Sequence, residues 1–252
     1  MILDCNAYLG EWPFRETRHA SAGELLRLMD RHSIEKACVT HLAGLFYKNA
    51  HNANRRLRRE IQRHRSRLIP FCVINPFYPG WEDDLTEARE DIGAKAVALY
   101  PSLHNYRLLD GCGRRLLERC AEQKIPVALS ERIEDERQEH WLFKIPNVAQ
   151  EEICRAAREY PRVRFLVRDA LPLRYRKALR HGNVYLDFSR TDITVSHVHA
   201  GFFRKISRRL LFGTQIPLKT PLPAILKVEK SDLPAAVKAR IFSGNARDLL
   251  GV

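Results

Sequence analysis

No hydrophobic run among the 252 residues comes near the roughly 18 uncharged apolar residues that a membrane helix requires, which excludes a spanning segment. The first residues, MILDCNAYLGEWPF, hold neither a basic leader nor a long apolar segment, and this points to a cytoplasmic protein. A CxxC pair is also missing. The six cysteines, Cys5, Cys38, Cys72, Cys112, Cys120 and Cys154, are scattered, three of them in apolar strand-like runs where a thiol packs as a small hydrophobe. They read as reduced and mostly buried, because disulfide frameworks belong to smaller secreted chains. No Pro-, Ser- or Gly-rich linker divides the chain. With 45% hydrophobic residues it can bury one large core, so disorder is excluded and a single domain is expected.

Negative charge is in short supply. Thirty Asp and Glu face forty-three Lys and Arg, a net charge of +13 that suits a nucleic-acid binder or an enzyme with acidic substrates. The densest basic run covers residues 55–65, joined by Arg204, Lys205, Arg208 and Arg209. Within it Leu57 and Ile61 stand four apart, the spacing of an outer helix that buries one stripe and solvates the rest. Base-stacking aromatics are not interleaved with the arginines and no nucleic-acid motif occurs, so the expected partner is a small anionic molecule rather than nucleic acid.

Periodicity is abundant. Short β-branched runs at 2–6, 36–40, 68–75, 94–99, 126–130, 162–167, 184–188 and 209–212 alternate with helical patterns at 22–31, 51–64, 82–91, 113–123, 148–160, 172–181 and 196–206, and a last begins at 222–229. Strands recur about every thirty residues, the length of a βαβ unit, which implies a parallel sheet with right-handed crossovers. Eight units in about 250 residues favour a (β/α)8 TIM barrel over an open sheet. In a barrel the chemistry gathers at the carboxyl ends of the strands. Those ends offer Asp4, Asn6 and Tyr8; Thr40 and His41; Asn75; Tyr100, His104 and Tyr106; the polar loop from Ser130 to His140; Arg168 and Asp169; Asp187 and Arg190; and Thr214 and Gln215.

Six segments in barrel-compatible order, LDCNAYLGEWPFR, VINPFYPGWEDDL, GAKAVALYPSLHNY, ERIEDERQEHW, LLFGTQIP and GNARDLLG, resemble the amidohydrolase-related family of TIM-barrel hydrolases almost end to end. Within it the chain is most similar to a branch sharing the D-x-N-x-Y-L-G-x-W-P-F-R start and the E-D-x-R-x-x-H loop. The resemblance implies one or two divalent metals held by H-x-H on strand one, Lys or Glu on strand four, His on strands five and six, and Asp on strand eight. This sequence departs at every position: Asn6 and Tyr8, Ala98, Ser130, Arg168 or Asp169, and Gln215. Those side chains are poor or impossible replacements for imidazole, carboxylate or thiolate, so no metal centre and no cofactor is expected, with a single divalent ion left open.

A metal-free site is then expected. His104 or His140 moves protons, Glu134 orients an imidazole, and Arg137 presents a planar fork to a carboxylate. Asn6 and Tyr8 donate to a developing oxyanion, and Tyr106, Arg168, Asp187, Arg190 and Gln215 complete the substrate-binding set. Asp4, inside the first strand, is read as holding the barrel mouth. Trp12, Pro13 and Phe14 are expected to plug the mouth or to pack against a second copy in a homodimer. The only HxH, His197 and His199, lacks a third ligand and is read as no metal site. The expected function is hydrolysis of a small carboxylate-bearing lactone or amide without the usual metal. The alternatives are a decarboxylase or other lyase on the same barrel, a catalytically inactive binding or regulatory protein, and, least favoured, a nucleic-acid-associated protein.

Overall fold

The computed structural model describes residues 1–135, 137–172, 174–187, 189–190 and 200–252. Eight strands form where the periodicity places them: β1 Leu3–Leu9, β2 Lys36–His41, β3 Leu68–Val73, β4 Ala96–Leu99, β5 Val127–Ser130, β6 Phe165–Arg168, β7 Val184–Asp187 and β8 Leu210–Leu211. Each pairs in parallel with the next in sequence order. Single backbone bonds beyond the short β8 close the seam to β1. Cys5 N–H donates to Phe212 O at 2.8 Å, Gln215 N–H to Asn6 O at 2.7 Å and Tyr8 N–H to Ile216 O at 2.8 Å. The result is the single-domain (β/α)8 barrel that the strand spacing predicts. No helix among the described residues is long and apolar enough to cross a membrane.

Strand alternation sorts the core into two shells. Cys38, Phe71, Ala98, Ala128 and Leu166 fill the barrel interior. Their strand neighbours Val39, Cys72, Val97, Leu129 and Val167 pack outward against the helices. In β1 the register against β2 shifts between Asp4 and Ala7. The extra residue reverses the alternation, so Leu3 and Cys5 before it and Tyr8 after it share the interior cluster. Without that irregularity Asn6 and Tyr8 would face the helices.

The helices form α1 Ala22–Arg31, α2 Ala43–Phe46, α3 His51–Ile61, α4 Trp81–Glu90, α5 Gly111–Gln123 and α6 Gln150–Glu159, followed by Ala200–Ile206, Leu222–Glu229, Ala235–Ala239 and Asn245–Leu250. Ser21 caps α1 through a reciprocal box with Glu24, which fixes its start. Helix α3 buries Leu57 and Ile61 and turns its arginines outward, Arg55 onto Glu87 of α4. The basic run is thus the solvated face of an outer helix.

The predicted helix 172–181 is instead two 3-10 turns, Arg174–Arg176 and Ala178–Arg180. Tyr175 departs from helical geometry at φ −89°, ψ 17°, although the stripe Tyr175, Ala178, Leu179 is buried as the periodicity requires. Residues 196–199 of the predicted 196–206 helix, with His197 and His199, lie outside the described residues. The three short elements Ala43–Phe46, Ala235–Ala239 and Asn245–Leu250 carry too few residues for a periodic signal. The last is pinned by buried Asn245, whose amide donates to Ser207 O and Leu210 O at 2.6 and 2.7 Å and ties the chain end to β8. All six cysteines are free.

Candidate active site at the barrel mouth

Six inward positions at the carboxyl ends of the strands are polar: Asn6 and Tyr8 on β1, Thr40 on β2, Ser130 on β5, Arg168 on β6 and Asp187 on β7, whose neighbour Leu186 packs outward. The registers Tyr8 to Thr40 and Ser130 to Arg168 hold four of them level. Arg168 is fully buried at their centre. Its guanidinium donates to Tyr100 Oη at 2.6 Å and Thr40 Oγ1 at 3.3 Å, and lies 5.7 and 5.5 Å from the ring centres of Tyr8 and Tyr100. Aromatic faces stabilise a desolvated cation by about 2 kcal/mol, well below the several kcal/mol that removing a charge from water costs. Among the described residues no carboxylate stands within ion-pair distance of Arg168, and its Nε has no hydrogen-bond partner.

A carboxylate network lies alongside. Asp187 Oδ2 accepts from Asn6 Nδ2 at 2.8 Å, and its Oδ1 accepts from Asp169 N, Ser189 N and Ser189 Oγ at 2.9, 3.2 and 2.9 Å. Asp169, in the left-handed region at φ +53°, accepts from Arg132 Nε and Lys219 Nζ, each at 2.7 Å. Arg190 donates to Glu131 Oε1 at 2.9 Å. Asp4 accepts from the backbone of Asn6 and Thr214, at 2.8 and 3.1 Å, and from the Thr214 hydroxyl, tying β1 to the residues after β8. Gln215, also left-handed at φ +65°, donates through Nε2 to Ile133 O at 2.7 Å and leaves Oε1 unpartnered, as Asn6 leaves Oδ1.

Burial raises Asp4 to about 7, against hydrogen bonds from Thr214 and Asn6 that lower it, and raises Asp187 to about 6, with Asp169 adding to the rise. Each folded value lies above the unfolded one. The native state therefore binds protons that the unfolded chain has released, and these groups cost stability as pH rises from about 4 toward 7. His104, whose value burial lowers, pulls the other way, so the informative quantity is a difference between variants. Asp187→Asn keeps an acceptor toward Asp169 and Ser189 while Asn6 turns its amide. Denaturant unfolding is expected to show Asp187→Asn gaining stability relative to wild type as pH goes from 5 to 8; a difference that stays flat or reverses would contradict this reading.

The structure gathers Asn6, Tyr8, Arg168, Asp187 and Gln215 at the mouth and sets Arg190 at its rim. The other expected residues lie elsewhere. His104 is buried with Nε2 3.0 Å from Gly44 O, its ring edge-on to Tyr100 at 6.3 Å. Tyr106 sits in the outer core between barrel and helices. Arg137 is solvent-exposed and bound to Asp135 through two 2.9 Å bonds. His140 stacks on Phe14 at 5.4 Å, and Glu134 lies 3.2 Å from Arg15. Trp12 is buried against Phe14 and Phe46, capping this side of the mouth. Ser189 and Lys219 are functional candidates that strand-end reasoning missed; Lys219 meets Asp169 across fifty residues of sequence, for which no local signal exists.

At the strand ends where the family resemblance places metal ligands stand amides, hydroxyls, the Ala98 methyl and the Arg168 guanidinium, and the carboxylates of Asp169 and Asp187 beside them are already engaged by Arg132, Lys219, Asn6 and Ser189. A divalent cation placed there would meet a buried positive charge and carboxylates occupied by other donors, a set that does not fit metal binding. Among the described residues no three His, Cys, Asp or Glu side chains converge as a metal site requires.

Comparison with known proteins fits this geometry to a lineage. Among solved structures, 2,6-dihydroxybenzoate decarboxylase in complex with 2,6-dihydroxybenzoate superposes at a TM-score of 0.75 and 15% identity over 100% of both chains. The 5-carboxyvanillate decarboxylase of Sphingomonas paucimobilis gives 0.78 and 12%, covering 100% of this chain and 99% of the other. Dihydroxybenzoic acid decarboxylase of Polaromonas sp. JS666, with bound manganese and the inhibitor 2-nitroresorcinol, gives 0.75 and 16%, covering 99% and 96%. Identities this low speak for a common fold. No curated protein matches the sequence. The family model described as Amidohydrolase matches residues 14–252, from the loop after β1 to the last residue, and on that match the chain belongs to the amidohydrolase family.

Proposed function

We propose that the barrel mouth binds a small carboxylic acid with an aromatic or enolic body and releases carbon dioxide from it, a lyase reaction run without a divalent cation. One observation carries the reading: Arg168 is a fully buried guanidinium with no carboxylate partner among the described residues, standing where the family resemblance places metal. A planar fork in a low-dielectric site favours a carboxylate, which would supply the missing counter-charge. In decarboxylation the bond from the ring or enol carbon to the carboxylate breaks, carbon dioxide leaves, and the carbon keeps the electron pair and takes a proton. Asp187, raised to about 6, is the acid available for that proton near neutral pH. The structural neighbours that decarboxylate aromatic acids support this reaction over hydrolysis.

Hydrolysis of a lactone or amide needs an activated water. The two imidazoles expected to provide it are engaged away from Arg168, His104 on the Gly44 carbonyl and His140 on Phe14. The test is calorimetric titration with benzoate and 2,6-dihydroxybenzoate, followed by product analysis in the presence of a chelator and by elemental analysis of the purified protein. Binding, and carbon dioxide release that a chelator leaves unchanged, is the expected result. Stoichiometric manganese or zinc, or turnover of lactones and amides without decarboxylation, would overturn it; binding without turnover would identify an inactive carboxylate-binding member of the family.

A further inference from the structure

Thr40 and His41 are neighbours on β2 and face opposite ways. Thr40 turns inward to Arg168, so strand alternation turns His41 outward, where it lines a cavity of about 850 Å3 beside α1 and α3. That volume falls in the range of small-molecule sites, and none of the mouth residues Asn6, Tyr8, Arg168 and Asp187 lines it.

The imidazole is held in place. Gly10, at φ +90°, packs so closely on it that a Cβ there would lie 2.7 Å from Cε1. Ala43 N–H donates to Nδ1 at 3.1 Å, so the neutral ring carries its proton on Nε2. His41 is only 2% exposed, and Nε2 has no hydrogen-bond partner. The nearest acceptor, Glu60 Oε1, stands 3.4 Å away outside hydrogen-bond geometry and also lies 3.6 Å from Arg56 Nε. Leaving a buried N–H unsatisfied is unfavourable, and a ligand oxygen would relieve it. Phe14, Phe46 and Tyr47 supply the aromatic lining of the cavity, and the small residues around the start of α1, Ala20 to Gly23, complete it.

The charges select the ligand. Glu60, Glu11, Arg56 and His64 line the cavity with His41, and because Arg56 is already directed at Glu60 while Glu11 adds a second carboxylate, an anion is disfavoured. We propose that this cavity binds a neutral hydroxyl-bearing aromatic molecule, a phenol, whose oxygen accepts from His41 Nε2 and whose hydroxyl donates to the Glu60 carboxylate, its ring lying against Phe14, Phe46 and Tyr47. The preference is opposite to that of the Arg168 site and independent of the reaction there.

Calorimetric titration of the full chain with phenol and with benzoate tests the assignment. Phenol is expected to bind wild type, to weaken about tenfold in Glu60→Ala and in Tyr47→Ala, both at partly exposed positions that the fold tolerates, and to keep its affinity in Arg168→Met. Phenol affinity unchanged in both cavity variants, phenol affinity lost in Arg168→Met, or no phenol binding in the millimolar range would overturn the proposal. Benzoate binding that falls with Glu60→Ala would overturn its preference for neutral ligands. Loss of benzoate binding in Arg168→Met alone bears only on the barrel mouth.

Discussion

Arg168→Met is expected to fold with a stability within about 2 kcal/mol of the parent and to lose affinity for aromatic carboxylates by about 100-fold or more. The two effects separate because the guanidinium is costly to bury and useful only to a ligand. Its neighbours are two aromatic rings, two hydroxyls and the interior apolar shell, into which a methionine of similar length packs without leaving an uncompensated charge. Tyr100 loses one donor, a deficit of about 1 kcal/mol that the removed desolvation penalty offsets. A bound acid loses the buried cation that no carboxylate pairs among the described residues, whereas Arg132 and Arg190 are already engaged by Asp169 and Glu131. Arg168→Ala differs in the other direction: it empties the centre of the mouth and is expected to cost about 3 kcal/mol or more through the cavity left behind. Chemical denaturation gives the stabilities and calorimetry with benzoate the affinities. If Arg168→Met unfolds the protein while Arg168→Lys rescues it, the guanidinium is a structural plug and the carboxylate reading falls.

Gly213→Ala is expected to destabilise the fold by about 3 kcal/mol and to abolish carboxylate turnover, with each effect traceable to Asp187. A Cβ on residue 213 would lie 2.7 Å from Asp187 Oδ2 and 3.0 Å from its Cβ. An exposed carboxylate would swing aside. This one is fully buried, and hydrogen bonds from Asn6, Asp169 and Ser189 fix both its oxygens. Moving it leaves buried donors on three strand ends unsatisfied and shifts the carboxyl group whose charge acts on Arg168. Thermal unfolding and product analysis on the same preparation check both halves. A variant with wild-type stability would show that the β7 and β8 ends yield more easily than their packing suggests.

How much of this is legible in the sequence depends on the range of the signal. The alternation of β2 to β7 and the stripe Leu57, Ile61 on α3 are local patterns, and they were readable because burial of one face imposes a period on neighbouring residues. The bulge in β1 was not: it changes which face Asn6 and Tyr8 present without altering composition. The polar loop after β5 read as the richest catalytic segment, since Glu134, Asp135, Arg137 and His140 are crowded in sequence. In space they turn to separate partners, Arg137 to Asp135, His140 to Phe14 and Glu134 to Arg15, and Arg137 extends into solvent. Crowding along the chain is a weak guide because consecutive loop residues fan outward, whereas residues thirty apart on adjacent strands converge.

The sequence by itself determined the eight-unit barrel and the scatter of cysteines that leaves all six unbridged, both consequences of which residue occupies which periodic position. Only the tertiary structure decided that Arg168 stands at the centre of the mouth with no carboxylate at ion-pair distance among the described residues, that Lys219 reaches Asp169, and that His41 turns away from this site into a cavity of its own. Those outcomes depend on strand register and on contacts between residues far apart in the chain, and a charge has no way to record in its local sequence whether its partner arrives.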